Sequence, residues 1–497
     1  MARRWRTVRE VAALSIACCL GVVACSGSSS DPRVPLADTF SAIVTNSTAA
    51  VAATTPAPSS TPSVAPTETT MLSTSTAPLS TAAPEPGASV WVELDSVPSG
   101  VIGELVAADE SVSIIVTPWA GDLPVGSATI EFQSPKHNTK RVELNVVSGL
   151  SETVYLDKQN QLVTTMLSFT VGGAPKQVAF TPDNAEIWVT LLDGDGVEVY
   201  EPFTGELLAE IDLAGSGAVE VIFNAAGTLA YVSQMETSSV YEIDVASKKV
   251  LRNMPAIGAW TKVMVLSPDE RTLYASNWVD DNISEFDLET GQVVRILPTV
   301  KTPRGLYVTP DGEELWVAGF LNGEIQVIDL AKGRGTVIYR SGGSMRHLVG
   351  DDERGLVYAS DMTRANTLVI DVDTREVAEL AKVDRTANTI DLSPDGQVLY
   401  VSSRGRNHEE SYHRLGPDWG SVAIIDTATG RHFDTIVGGN QPTGLDVSPD
   451  GQFLAHSDFL DNRVTIYEIP SYEVYLDGNG GRYDAHFSEI RKRRSGR

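Results

Sequence analysis

The sequence predicts an all-β protein: a seven-bladed β-propeller preceded by a small β-sandwich-like module and a disordered linker. Three observations point to this fold class. A turn-and-strand segment such as "LSPDGQVLYVS" occurs seven times, and a second segment such as "VAIIDTATG" follows each copy. Ahead of the repeats lie several short alternating strands, and a stretch rich in Ser, Thr, Ala and Pro precedes those strands.

The repeats define the predicted propeller, residues 160–476. Their turn positions are 43, 43, 42, 41, 43 and 55 residues apart. The turns are anchored at Asp183, Ala226, Asp269, Asp311, Asp352, Asp395 and Asp450. Each unit holds four short strands, A to D, and units of this length favour propeller blades over the alternative, an open solenoid. We expect "TTMLSFTVGG" at 164–173, a strand D without its own A, B and C, to complete the last blade.

The first 24 residues predict a secretory signal, because four arginines precede the apolar run "VAALSIACCLGVVA". "VVAC" at 22–25 resembles a bacterial lipobox, which implies cleavage behind Ala24 and acylation of Cys25. An ordinary signal peptide is the alternative. The lipobox reading implies a lipid anchor on the extracytoplasmic face of the cell membrane. All three cysteines lie within the first 25 residues, so the processed chain would retain only Cys25 and could form no internal disulfide.

Residues 25–88 have no apolar periodicity and predict a disordered linker. Residues 89–158 predict a small β domain with about five strands, which include "SVWVELDSV", "SATIEFQS" and "ETVYLDK". "LPVGSATIEFQSPKHNTKRVELNVVSGLSETVYLDK" resembles a PEGA-type module of bacterial surface proteins, although the PEGA string itself is missing. That resemblance implies a spacer or wall-associated role. Residues 477–497 predict a disordered basic tail, and contact of this tail with anionic lipid or wall polymer is the alternative.

The pairs "LYVSS" with "VAIIDTATG" and "LWVAG" with "IQVIDLAKG" resemble the YVTN-type bacterial β-propellers, which are related in fold to lactonase-like propellers. The resemblance implies the fold strongly and the function weakly, because this fold hosts both binding proteins and enzymes. The net charge of −27 argues against a nucleic-acid partner. We find no GxSxG, phosphate loop, CxxC or CxxCH, so we expect no cofactor and assign no catalytic residue.

One aligned column, at the entry to each strand A, predicts a binding site. We name it the collar; it contains Lys176, Val219, Lys262, Arg304, Arg346, Asn388 and Thr443. Strand A is innermost in a blade, so the collar should surround the mouth of the central channel. The residues after strand B predict a second ring of Gln234, Asn277, Asp361, Arg404 and Asp458, with Trp278 and Phe320 nearby. Such a surface suits an anion. The alternative is two inter-blade ion pairs, Arg346–Asp361 and Arg404–Asp458.

Blade six carries an insert, "RGRNHEESYHRLGPDW", between its strands B and C. It brings His408 and His413 to the same face as the collar. We consider three roles for it: a cover for the channel, a ligand or protein contact, and a metal site built from His408, Glu409, His413 and Asp418. The metal site lacks a regular scaffold and no HExxH occurs, so we expect no metal.

The sequence thus favours a monomeric, lipid-anchored protein whose propeller binds a protein, a cell-wall component or an anionic ligand without catalysis. A lactonase-like hydrolase that acts on an anionic substrate at the same face is the alternative.

Overall fold

A computed structural model describes residues 88–478. The predicted signal segment, Cys25, the linker up to residue 87 and the basic tail from residue 479 lie outside the described residues. The described chain forms two compact units that meet in sequence between Asn160 and Gln161. No helix in the described part of the chain is long and apolar enough to span a membrane.

The first unit contains seven strands in two sheets. These are β1 (Ser89–Val97), β2 (Ile102–Val106), β3 (Val112–Val116), β4 (Trp119–Pro124), β5 (Gly126–Gln133), β6 (Lys140–Val146) and β7 (Ser151–Tyr155). One sheet has the order β4-β1-β7 and the other the order β3-β2-β5-β6. Alternate side chains such as Val92, Ile130 and Phe132 form a core that is closed to solvent. The sandwich-like architecture is as predicted, but β2 and β4 were missed because glycine interrupts both segments, "IGELV" and "WAGDLP".

The second unit consists of seven four-stranded antiparallel sheets. The first six are consecutive in sequence. Blade 1 is β9 (Pro175–Phe180), β10 (Ile187–Leu191), β11 (Gly196–Tyr200) and β12 (Leu207–Asp212); blade 2 is β13 (Ala218–Phe223), β14 (Leu229–Gln234), β15 (Ser239–Asp244) and β16 (Lys249–Pro255). Blade 3 is β17 (Thr261–Leu266), β18 (Thr272–Asn277), β19 (Asn282–Asp287) and β20 (Gln292–Pro298).

Blade 4 is β21 (Pro303–Val308), β22 (Glu314–Gly319), β23 (Glu324–Asp329) and β24 (Arg334–Arg340); blade 5 is β25 (Met345–Asp351), β26 (Leu356–Asp361), β27 (Asn366–Asp371) and β28 (Val377–Lys382). Blade 6 is β29 (Ala387–Leu392), β30 (Val398–Ser403), β31 (Ser421–Asp426) and β32 (His432–Val437). Blade 7 is β33 (Pro442–Val447), β34 (Phe453–Asp458), β35 (Arg463–Glu468) and β8 (Thr164–Thr170).

The ring is closed. The first strand of each blade contacts the first strands of both neighbouring blades, in an unbroken cycle from β9 through β33 and back to β9. β8 comes from the start of the unit and pairs with β35 as the outer strand of blade 7, with Thr164 opposite Glu468. The segment "TTMLSFTVGG" therefore supplies the missing strand D, as predicted, and the open solenoid is excluded.

Sheets pack face to face through β-branched and aromatic side chains that are inaccessible to solvent, among them Trp188, Trp316 and Tyr400. The "SPDG" turns carry glycine at positive φ, for example Gly396 at 67°. A short helix, α1 (Tyr472–Asp477), follows β35. Its Tyr475 stacks on Phe433 of blade 6, with ring centroids 5.3 Å apart.

Candidate functional site

The collar lies at one end of the central channel, at a β-bulge in each blade. Every collar residue is the second residue of its inner strand. In blade 5, Met345 pairs with Asp361 and His347 with Ser360, which leaves Arg346 without a cross-strand partner. Equivalent register shifts follow Ala218 in blade 2 and Thr261 in blade 3. A bulge turns the extra side chain away from the sheet, so the repeat itself directs the collar toward the channel mouth.

In six of the seven blades a buried hydroxyl of the second strand makes hydrogen bonds that fix the bulge. In blade 3, the Ser276 hydroxyl accepts the N–H of Val263 at 3.0 Å and donates to the carbonyl of Arg304 in the next blade at 3.2 Å. Thr190, Ser233, Ser360 and Ser402 make the corresponding bond to the collar carbonyl of the following blade. The collar backbone is therefore positioned by its own blade and by the preceding blade. Blade 4 has Ala318 at this position.

Four collar residues are cations, and Arg404 joins them from the start of the blade 6 insert. We call these five residues the basic cluster: Lys176, Lys262, Arg304, Arg346 and Arg404. Arg304 and Arg346 are each only 7% exposed, Lys176 9% and Arg404 5%. Burial, together with the charges of Arg404, Arg346, Arg304 and Lys262, lowers the pKa of Lys176 well below its ordinary value. Burial and the neighbouring arginines lower the pKa of Lys262 in the same way. The five side chains thus repel one another in a site with little water.

No carboxylate within residues 88–478 makes an ion pair with any member of the basic cluster. The acidic group that acts on Arg304 is Glu220 on the inner strand of blade 2. Burial raises the pKa of Glu220 to about 8, so this carboxyl is largely protonated at neutral pH and neutralises little. The cations instead face aromatic rings: Lys262 Nζ lies 4.7 Å from the ring centre of Trp278, and Lys176 Nζ lies 5.2 Å from that of Phe459.

The residue directly after each second strand forms another ring. In six blades it is apolar, and we call these six residues the apolar rim: Leu192, Met235, Trp278, Phe320, Met362 and Phe459. The backbone N–H of each rim residue bonds to the residue before the inner strand, as Trp278 does to the Trp260 carbonyl at 3.1 Å. Trp278 and Phe320 contact each other, with ring centroids 4.8 Å apart. Arg404 occupies the seventh position, in blade 6, where its guanidinium lies 5.4 Å from the ring centre of Phe459.

The blade 6 insert covers one side of the mouth. It spans residues 404–420, whereas the same connection has four residues in every other blade. His413 Nδ1 lies 3.3 Å from Asp193 Oδ2 of blade 1, so the insert passes over blade 7. Tyr412 packs in a cluster with Leu192, Val219 and Phe459. Burial lowers the pKa of His413, and Lys176 and Arg404 lower it further against the opposing effect of Asp193.

The structure brings together the cations of one predicted ring, the collar, but not all members of the second predicted ring. The collar cations come together, but Asn277, Asp361 and Asp458 do not join them, because they end their strands with side chains directed into the connecting loops. Asp361 accepts the backbone N–H groups of Ser344, Thr363 and Arg364. Asn277 bonds to Thr261, Asn282 and Ser284, and Gln234 to Gly215 and Thr237.

The alternative of inter-blade ion pairs is wrong. Asp458 pairs with Arg463, whose Nη2 lies 2.6 Å from Asp458 Oδ2, and not with Arg404. Arg404 instead donates to Gln441, and its Nε has no hydrogen-bond partner. Arg346 and Asp361 likewise make no contact with each other, since Asp361 is engaged by loop amides. The basic cluster is therefore left without the counter-charges that this alternative required.

The remaining predicted residues divide between the mouth and the insert. Asn388 lies in the collar, where its Nδ2 donates to the Thr443 carbonyl at 2.9 Å and its Oδ1 has no partner. His413 contacts the ring of Phe459 at the mouth. His408 bonds to the backbone of Glu410 within the insert and is not joined to the collar. Among the residues that the structure describes, no group of three or more His, Cys, Asp or Glu side chains is placed to hold a metal ion.

Sequence reasoning missed the apolar rim and the buried hydroxyls. Both were visible as columns two positions apart at the end of strand B, in "TLL", "SQM", "SNW" and their equivalents. The predicted second ring took Arg404 from the rim column and its other members from the column before it, which is the last residue of each strand B. Because successive residues of a strand point to opposite sides, a shift of one position places a side chain in a different environment.

Comparisons with known proteins agree with this architecture. A family model described as "Lactonase, 7-bladed beta-propeller" matches residues 170–345 and 356–477. Antigen Lp49 of Leptospira interrogans is 32% identical over 351 residues, which cover 68% of this chain and 77% of the antigen. YwhL of Bacillus subtilis is 25% identical over 331 residues, 64% of this chain and 69% of that protein.

Among solved structures, Kuenenia stuttgartiensis hydrazine synthase superposes with a TM-score of 0.52 at 20% identity, over 62% of this chain and 98% of that one. At that identity the likeness concerns the fold alone. The family match covers more than half of the chain and the same seven sheets that the structure contains. The chain therefore belongs to the family of seven-bladed lactonase β-propellers.

Proposed function

We propose that the propeller binds an anionic ligand at the mouth of its central channel and that it does so without chemical conversion. One observation carries the proposal: four buried cations and the partly buried Lys262 converge with no carboxylate paired to them in the described chain. Assembling such a cluster is costly, and a bound anion would offset the repulsion through charge-assisted hydrogen bonds. The chain as a whole has a net charge of −27, so this cluster of positive charge is opposite in sign to the rest of the protein.

The proposed function also includes a location in the cell. We propose that the chain is anchored through an acylated Cys25 on the extracytoplasmic face of the cell membrane and that the predicted linker and PEGA-like module separate the propeller from that membrane. The name of the Leptospira relative, an antigen, supports a surface location. Labelling of the cells with radioactive palmitate tests this part: a Cys25→Ser chain should lose the label, and retention of the label would contradict the anchor.

Calorimetric titration of the purified chain with citrate and with inorganic phosphate tests the binding site. We expect heat of binding for at least one of these anions and a loss of affinity of about tenfold or more in Arg346→Gln, because a buried charged hydrogen bond is removed. Arg334→Gln, at an exposed position on the outer strand of blade 4, changes the net charge equally and should bind like the wild type. Equal weakening in both variants would contradict a specific site.

A lactonase-like hydrolase is the second candidate, and membership of the lactonase propeller family favours it. His413 offers an imidazole with a lowered pKa beside the basic cluster, a group suited to act on a bound anionic substrate. Assay of the purified chain on a panel of anionic lactones separates the candidates. Turnover that disappears in His413→Gln with the fold intact would establish the hydrolase, whereas anion binding without turnover supports the binding function.

A further inference from the structure

The mouth of the channel is asymmetric. On the side of blades 6, 7 and 1 the insert closes it: Phe459 is 0% exposed and Leu192 only 7%. On the side of blades 2 to 5 the rim stays partly open, because Met235, Trp278, Phe320 and Met362 all keep part of their surface in contact with solvent. The open half of the apolar rim lies on the same blades as Lys262, Arg304 and Arg346, so a molecule that enters there meets both kinds of surface.

The two surfaces are at different depths. Arg304 and Arg346, each 7% exposed, are reached only by a narrow group, whereas Lys262 is partly exposed. A flat protein surface therefore cannot contact the whole cluster. The rim above them has two aromatic rings in contact and two methionines, whose flexible thioethers adapt to irregular apolar ligands. The ring of Trp278 has the Lys262 ammonium 4.7 Å and the Arg304 guanidinium 5.7 Å from its centre. Apolar and cationic contacts therefore meet at one side chain.

We infer that the ligand is a small amphiphilic anion, a carboxylate or phosphate ester whose charged group enters the basic cluster while an aromatic or aliphatic body lies on the open half of the apolar rim. This inference rests on the proposed function and specifies its ligand class. A polar body, such as a sugar or glycerol, leaves Trp278 and Phe320 without an apolar partner. An inorganic anion uses the basic cluster alone.

The test compares two phosphate monoesters that carry the same charge, phenyl phosphate and glycerol 3-phosphate, by calorimetric titration of the full chain. We expect phenyl phosphate to bind about tenfold more tightly, since its ring buries apolar area against the rim. Trp278→Ala should weaken phenyl phosphate binding much more than glycerol 3-phosphate binding, so that most of this preference is lost. Phe203→Ala, which removes an exposed aromatic ring outside the mouth, is the matched control and should keep the preference.

The outcomes separate the two proposals. If both esters bind equally well, or if Trp278→Ala weakens both to the same extent, the amphiphilic ligand is wrong and the anion site stands. If neither ester binds and Arg346→Gln has no effect on any anion, the proposed function fails and takes this inference with it. Thermal unfolding of each variant checks the fold, and Phe320→Ala provides a second rim variant if Trp278→Ala does not fold.

Discussion

At the scale of single residues, the basic cluster combines a function with a cost to stability. Its members gather because the bulge repeats in every blade, and no carboxylate within the described chain forms an ion pair with them. Like charges in a site of low dielectric destabilise the folded state until a counter-charge arrives. Residues retained under such a cost are characteristic of binding sites, where stability and function oppose each other.

The first prediction follows from that opposition. Without ligand, Arg346→Gln should raise the free energy of unfolding by about 1 kcal/mol, because one repelling charge is removed from beside Arg304 and Arg404. The same variant should lose anion affinity. Chemical denaturation in a buffer free of multivalent anions measures the first effect. A clear loss of stability in Arg346→Gln would mean that the guanidinium has a structural role.

A second prediction concerns the carboxyl pair Asp391 and Asp446 on the neighbouring inner strands of blades 6 and 7. They accept the backbone N–H groups of Val447 and Phe180, at 2.8 and 2.7 Å. Burial raises the pKa of Asp391 to about 6, and burial together with Asp391 raises that of Asp446 well above its ordinary value. Both folded pKa values exceed the unfolded value, so their contribution to stability is complete below about pH 4. The contribution of Asp391 is lost as pH rises through about 6, and that of Asp446 also falls as pH rises.

Asp446→Asn should therefore flatten the pH dependence of unfolding above about pH 4 and stabilise the protein relative to wild type as pH rises. The amide oxygen can still accept the N–H of Phe180. Denaturant titrations at several pH values measure the effect. Asp373→Asn, at an exposed position, should retain the slope of the wild type. Parallel curves for Asp446→Asn and wild type would contradict the raised pKa of Asp446.

At the scale of the strand, the site depends on hydroxyls that never touch the channel. Ser276→Ala removes two buried hydrogen bonds, one within blade 3 and one to blade 4. We expect its free energy of unfolding to fall by about 1–3 kcal/mol. Ala318→Ser, the reverse change at the equivalent position in blade 4, should be neutral or stabilising by up to about 1 kcal/mol. Unchanged stability in Ser276→Ala would show that the hydroxyl does not hold the bulge.

The strand scale also explains how much the sequence could predict. The repeat placed every cation of the collar, since the second residue of strand A is a fixed position in all seven blades. The repeat did not predict the apolar rim, because neighbouring residues at the end of strand B have different environments. The side chain of Asp458 is directed into a loop, whereas that of Phe459, the next residue, lies at the mouth. Nor could the repeat show where the insert crosses: the contact between His413 and Asp193 joins residues far apart in sequence and depends on the closed ring.

At the scale of the whole molecule, closure depends on β8. A chain that begins at Pro175 leaves β35 as an unpaired edge and loses the packing of Val163 against blade 7. We expect it to be less stable than a chain that begins at Gln161 by on the order of 5 kcal/mol, and to aggregate. Circular dichroism melts and size-exclusion chromatography of both chains measure this. Equal melting temperatures would show that β8 is dispensable.

The pairing direction of β8 also determines how the propeller yields under tension. Thr164 at the start of β8 faces Glu468 at the end of β35, so a force that separates the two ends of the chain peels this ladder apart one pair at a time. α1 protects that end: Tyr475 stacks on Phe433 and lies in the same core cluster as Leu162, and Arg431 bonds to the Gly478 carbonyl at 2.6 Å. A force applied to both ends of the propeller must therefore detach α1 before β8 separates from β35. This six-residue helix thus stabilises the closed ring against mechanical unfolding.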